Sequence, residues 1–173
     1  MNQYIKSDLY RYSGDVSLKS FFLIYRRYPA FRFQVWLRLC NDRGIIKRIA
    51  RLRFKLYRGG RIQIDYTTKI GYGLYIGHNG PVVVHSSTII GNNCNLSQFT
   101  TIGSNHGSAA EIGNNVYIGP NVCVVEHVTI GDNCTIGAGS VVTKNIPPNA
   151  TAAGNYARVI HFRNPGIYIQ NKW

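Results

Sequence analysis

Five histidines, His78, His85, His106, His127 and His161, are the side chains of this 173-residue chain best suited to move a proton near neutral pH. His78 lies in the segment Ile76-Gly77-His78-Asn79-Gly80, and His106 in the irregular stretch from Ser104 to Glu111. Each has the chemistry of a general base toward a hydroxyl. His127 follows Glu126, and this pair of positions reads as surface charge, with Glu126 stacked against Lys144. His85 and His161 have no constellation around them in sequence. Lys144 and Arg158 stand out because residues 61–173 hold only 6 Lys/Arg, so cations there suggest an anionic ligand rather than solubility. Cys40, Cys94, Cys123 and Cys134 include no C-x-x-C pair, so a zinc site has no support and no metal is expected.

The elements that position these residues follow from a repeat. From Ile64, every sixth residue reads Ile64, Ile70, Ile76, then after two extra residues Val84, Ile90, Leu96, Ile102. After four more extra residues the series continues Ile112, Ile118, Val124, Ile130, Ile136, Val142. Glycine usually follows, as at Gly71, Gly77, Gly91, Gly103, Gly113, Gly119, Gly131 and Gly137. The position four after each aliphatic is mostly small or β-branched, Cys94 and Cys134 included, and these cysteines read as packing residues. A period of six fits neither a helix nor a plain strand. It fits short flat strands joined by regular corners, three to a coil, stacked so that each coil covers the apolar layer of the next. The series predicts a mainly β solenoid of a little over four coils.

Stacking sets equivalent positions above one another. Two residues past the aliphatic on one face lie His78, Gln98, Pro120 and Ala138. At about 4.8 Å per coil, this column spans roughly 14 Å.

Runs such as Ile130-Gly-Asp-Asn-Cys-Thr-Ile-Gly-Ala-Gly-Ser-Val resemble hexapeptide-repeat acetyltransferases. The resemblance implies a left-handed parallel β-helix, a homotrimer with sites between prisms, and acetyl-CoA as co-substrate. Ile70-Gly-Tyr-Gly-Leu-Tyr-Ile-Gly-His78-Asn-Gly is similar to the segment that carries the catalytic base of serine acetyltransferases. His106 would be a second acid/base or acceptor contact. Ile136-Gly-Ala138-Gly-Ser-Val-Val-Thr143-Lys144 is similar to a CoA-binding segment, and the stretch from Ile146 to Arg158 resembles the closing segment whose arginine lies near the CoA phosphates. Gly103, Gly119, Ala138, Thr143, Lys144 and Arg158 are therefore the expected cofactor contacts. The closest likeness is to acetyltransferases of colanic-acid and capsule loci. This implies transfer to a sugar hydroxyl in surface polysaccharide synthesis, with serine as the alternative acceptor and a non-catalytic scaffold as the alternative from another class. Two departures stand out: Gln63 occupies the slot of the aspartate that partners the base, with Asp65 two residues away, and Gly154-Asn155-Tyr156 replaces Gly-x-Pro, so no cis-proline turn is expected. The three-histidine set of the zinc carbonic anhydrases of this fold is absent, since no H-x-x-x-x-H pair occurs.

Three segments are expected: a basic helical segment 1–60, a solenoid 61–146, and a closing segment and tail 147–173. Residues 1–60 hold 14 Lys/Arg and 3 Asp/Glu, while 61–173 hold 6 and 4. Helices are predicted over Ser17–Tyr28, Pro29–Cys40 and Ile45–Tyr57, with Gly59-Gly60 ending the third. In the third, Ile45, Ile49, Leu52 and Leu56 form an apolar seam, and Arg48, Arg51, Lys55 and Arg58 a basic face. Two compatible roles follow: a cap on the open solenoid edge, and contact of residues 45–58 with an anionic membrane surface. No recognition motif accompanies the charge, so no nucleic-acid partner is expected. With no apolar run near membrane-spanning length and no secretory signal, the expected location is cytoplasmic, peripheral to the membrane if the contact forms.

Overall fold

The computed structural model describes residues 1–56 and 60–173. The expectations placed on Tyr57, Arg58 and Gly59, and on the Leu56 side chain, lie outside the described residues. Three parallel sheets form the faces of a triangular prism. The first face is β1 (Ile62–Ile64), β4 (Val82–Val84), β7 (Thr100–Gly103), β10 (Cys123–Val125) and β13 (Val141–Val142). The second is β2 (Lys69–Ile70), β5 (Ile89–Ile90), β8 (Glu111–Ile112) and β11 (Thr129–Ile130). The third is β3 (Tyr75–Ile76), β6 (Asn95–Leu96), β9 (Tyr117–Ile118), β12 (Thr135–Ile136) and β14 (Thr151–Ala153), with β15 (Arg158–His161) added antiparallel at its end.

The register confirms the six-residue period. Ile64, Val84, Ile102, Val124 and Val142 pair in sequence up the first face. Ile70, Ile90, Ile112 and Ile130 do so on the second, and Ile76, Leu96, Ile118 and Ile136 on the third. All of these are buried except Ile70, which is half-buried. The small positions, including Thr68, Thr88, Cys94, Thr100, Cys134 and Ser140, are buried between them. The stack is a parallel β-solenoid of five coils. It exceeds the expected count because Ile146 bridges Ile130 and β14 pairs with β12, completing a coil after Val142. Val142 and Ile146 are four residues apart rather than six, so counting sixes ends one coil early.

Four helices precede the prism: α1 (Gln3–Ser13), α2 (Leu18–Arg27), α3 (Pro29–Leu39) and α4 (Gly44–Leu56). Ser17 caps α2 by accepting from Ser20 N, and Pro29 opens α3. α1 was not expected. Its Ile5, Leu9 and Tyr12 share one face, but Ser7, Asp8 and Arg11 are buried beside them and mask the apolar pattern.

Those polar residues cap the first coil. An exposed strand edge offers unpaired N–H and C=O groups, and here side chains from α1 and α3 satisfy them. Asp8 accepts from Leu74 N at 2.8 Å, and Ser7 Oγ from Gly73 N at 2.9 Å. Arg11 donates to Gly73 O, Gln34 to Leu74 O, and Arg38 to Ile70 O and Gly71 O. Tyr12 Oη accepts from Ile76 N and donates to Gln34 Oε1. Asp8 and Arg38 also form a bidentate ion pair, both bonds 2.9 Å.

The tail returns along the corner between the second and third faces. Gly166 N donates to Asn133 O, Asn95 Nδ2 to Tyr168 O, Arg11 Nε to Gln170 O, and Trp173 N to Asn93 Oδ1.

The cysteines are free; burial pushes the Cys94 thiol up to about 12 and the Cys40 thiol up to about 11. Cys134 is also buried and raised, whereas Cys123 is half-buried. Because the thiolate is the reactive form, iodoacetamide near neutral pH is expected to mark Cys123 first. Peptide mass spectrometry before and after unfolding checks this, and early labelling of Cys94 would contradict the close packing of the coils.

Candidate functional site

The column expected from the repeat is present from the second coil onward. Gly77 N donates to Leu96 O, Ser97 N to Ile118 O, and Gly119 N to Ile136 O, at 2.9, 3.1 and 2.9 Å. This register sets Gln98, Pro120 and Ala138 side by side at the corner between the third and first faces. In the first coil Gly80 packs on Gln98, where a Cβ would collide with Gln98 Cβ, and His78 stands in the bulge just before it. The two-residue insertion in the first coil puts His78 (φ 61) and Asn79 (φ 49) in consecutive left-handed conformations, which histidine and asparagine enter more readily than most residues. Asn79 Oδ1 accepts from Ala30 N at 3.1 Å, an orphan donor of the first turn of α3. The corner is thus pinned, and the His78 imidazole stands exposed beside it.

Next in the column, Gln98 Oε1 is buried without a partner among the described residues. Phe99 follows at φ 62, the residue 53% exposed. A bulky residue held left-handed is strained. Phe99→Asn is therefore expected to raise stability by about 1 kcal/mol. Urea unfolding measures it, and a loss of stability would mean that the ring contributes packing.

A groove crosses the first face beside this corner. One cavity of about 340 Å³ touches Asn79, Pro29 and Ala30. It shares Phe33, Gly60 and Ile62 with a larger cavity of about 680 Å³ that reaches Ser104 and Asn105. Gln63, Asp65, His85 and Thr101 also line the larger cavity. α3 and α4 form one wall through Phe33 and Phe54. Sequence reasoning missed this groove. Its floor was implicit in the register, since Gln63, Val83 and Thr101 pair across successive coils. The placement of the two helices was not.

His106, Thr143 and Lys144 lie at the opposite corner of the first face, beyond the ends of β7 and β13. β7 has 4 residues, or about 13 Å of strand, so His106 does not join His78 within one subunit. Glu126 does not pair with Lys144. It accepts from Ser104 Oγ at 2.8 Å and from Asn105 N and His106 N at 3.3 Å, anchoring the loop. The Ser104 hydroxyl, followed by these N–H groups, holds the Glu126 carboxyl below its ordinary range. The anchor is accordingly present above the ordinary carboxylate value and lost only as pH falls through the lowered one. His127 Nδ1 lies 3.1 Å from Ser108 Oγ.

A Cβ at Gly103 would meet nothing within 4 Å, so the backbone there is open to a ligand. A Cβ at Gly119 would lie 2.8 Å from Ile136 O and 2.9 Å from Ala138 N, so that glycine is explained by coil stacking. Ala138, Lys144 and Arg158 are exposed, Arg158 at the end of the stack opposite Ala153. The Asn155–Tyr156 bond is cis although no proline is present. Among the described residues no three His, Cys, Asp or Glu side chains are grouped to hold a metal.

Residues 109–144 match the family of bacterial transferase hexapeptide (six repeats). The match covers 36 of the 173 residues, and the same hexad register runs through the rest of the solenoid, so the chain is similar to that family. It is also similar to serine acetyltransferases. It is 30% identical over 143 residues to the serine acetyltransferase of Synechococcus elongatus, covering 78% of this chain and 58% of that protein. The Neisseria gonorrhoeae serine acetyltransferase solved with serine superposes with a TM-score of 0.73 at 27% identity, over 91% of this chain and 67% of the other. A serine acetyltransferase solved with CoA gives a TM-score of 0.70 at 26% identity, over 90% and 68%. Coverage of 91% extends beyond the solenoid, so the likeness includes part of the helical cap. The chain spans 28% and 58% of the length of two curated relatives it matches.

Proposed function

We propose that the chain is an acetyl-CoA-dependent O-acetyltransferase whose acceptor is the hydroxyl of serine. The observation that carries this reading is the corner at His78, where an exposed imidazole follows the third face, is next in sequence to Asn79 of the groove wall, and stands in the bulge that leads onto the uncharged row of Gln98, Pro120 and Ala138. Acetyl-CoA would lie along that row. His78 takes the proton of the acceptor hydroxyl, whose oxygen attacks the thioester carbonyl. The tetrahedral oxyanion, held by backbone N–H groups, collapses to the ester. The departing thiolate takes the proton from the imidazolium, so no covalent enzyme intermediate is needed. Arg158 and Lys144 would hold the CoA phosphates, with Gly103 and Thr143 flanking. Because His106, Thr143 and Lys144 sit a strand's width from His78, they would serve the His78 of a neighbouring subunit in a trimer.

Serine replaces the sugar hydroxyl as the first acceptor because the similar proteins reported above are serine acetyltransferases. One observation favours a sugar as second reading: the groove of about 680 Å³ is in the range that takes ligands far larger than serine.

Thiol release from acetyl-CoA, measured with serine and with a panel of sugars, decides between them. Serine-dependent release supports the first reading and sugar-dependent release the second. No release with any acceptor, together with no binding of CoA, would overturn both and leave a scaffold.

A further inference from the structure

The apolar seam of α4 faces away from the protein. Ala50 is buried and Phe54 packs against the prism core, which turns the opposite side of the helix outward. On that side Ile45, Ile49 and Leu52 are 67%, 54% and 62% exposed. A helix that only capped the solenoid would bury these residues. Across α3, the neighbouring α2 leaves Leu18 and Phe22 69% and 66% exposed.

Trp36 of α3 joins the two helices. Its Nε1 donates to Tyr25 Oη of α2, and the guanidinium of Arg53 of α4 lies 4.5 Å from its ring centroid. Phe22 is three residues from Tyr25 and Ile49 four from Arg53, so each shares a helix face with a neighbour of Trp36. The exposed apolar groups of α2 and α4 therefore rim one surface.

That surface is basic. No Asp or Glu occurs from Val16 to Asn41 or from Arg43 to Ile64, while Lys19, Arg26, Arg48, Arg53 and Lys55 punctuate the helices. Docking this face on its copy would set cations against cations. The rest of the chain has few acids to receive it, since residues 61–173 carry 4 Asp/Glu against 6 Lys/Arg, and one of the four, Glu126, is engaged with its loop.

We infer that the face formed by α2 and α4 docks on an anionic lipid surface, burying Ile45, Ile49 and Leu52 at the headgroup boundary with the cations at the phosphates. Amphipathic helices bind bilayers in this way, through buried apolar area together with attraction to anionic lipid, and an indole at the rim suits the interface. No helix among the described residues is long and apolar enough to cross a membrane, so the contact is peripheral. It stands independently of the acetyltransferase reading.

Co-sedimentation of the full chain with vesicles tests this. Vesicles of phosphatidylcholine with about one third phosphatidylglycerol should pellet the protein at low salt, and vesicles of phosphatidylcholine alone should not. High salt should weaken the pelleting. The double variant Ile49→Asn/Leu52→Asn should lower partitioning at least about tenfold, with thermal unfolding and sedimentation velocity as for wild type. Failure to pellet with the anionic vesicles overturns the inference. So does a wild-type oligomer that the double variant dissociates, since the face would then be a contact between copies of the chain.

Discussion

Exchange of His78 for Asn is expected to lower kcat/KM for acetyl transfer by about 10²- to 10⁴-fold, the usual loss when a general base is removed. This equals about 3–5 kcal/mol of transition-state stabilisation. Asparagine is preferred to alanine because the backbone at this corner is left-handed, with φ 61. Alanine would add backbone strain to the chemical loss, whereas asparagine tolerates that conformation. His78 is exposed and caps nothing itself, so stability and CoA affinity should stay near wild type. The loss should fall on kcat, read by thiol release at saturating acetyl-CoA. A decrease below about tenfold would move the base elsewhere.

The second large effect concerns the cap. Arg38→Met is expected to cost about 3–5 kcal/mol, the usual result of removing one partner from a buried ion pair. The Arg38 and Asp8 side chains are only 8% and 1% exposed. Burial pushes the Asp8 carboxyl up from the ordinary range, and the charge and hydrogen bonds of Arg38 pull against that. Without Arg38 the carboxylate is left buried, and Ile70 O and Gly71 O lose their donors. Asp8→Asn should cost less, because the amide oxygen can still accept from Leu74 N. Urea unfolding of the two variants gives the comparison. Equal losses, or a loss below about 1 kcal/mol for Arg38→Met, would mean that the helices sit on the prism without holding it.

The prism was legible because its period is long and nearly unbroken. Thirteen aliphatics in register leave one architecture, and the same register put Gln98, Pro120 and Ala138 in one column before any coordinates, whereas the insertion at His78 and Asn79 brings Gly80 into the place on Gln98 that counting gave to His78. What stayed hidden depends on side chains reaching between elements. α1 was masked because it buries Asp8, Arg11 and Ser7 against strand edges, where a helix pattern calls for apolar residues. The loop role of Glu126 was missed because stacking alone put it under Lys144, whereas the loop's own N–H groups reach it first. The seam of α4 was visible as a seam, but nothing local said which way it points. Gly103 and Gly119 look alike in sequence, yet a neighbouring carbonyl crowds only the second.

A column of coils held only by nearest neighbours unzips from either end, and its terminal turns open at little cost. The returning tail changes that arithmetic. It is bonded at Asn133 in the fourth coil, at Asn95 and Asn93 in the second, and at Arg11 in α1. Opening the last coils therefore strips contacts from the first ones, and loosening the cap frees the tail that closes the far end. Protection from amide exchange should then be nearly level from coil to coil, and the chain should unfold as one unit rather than fraying turn by turn.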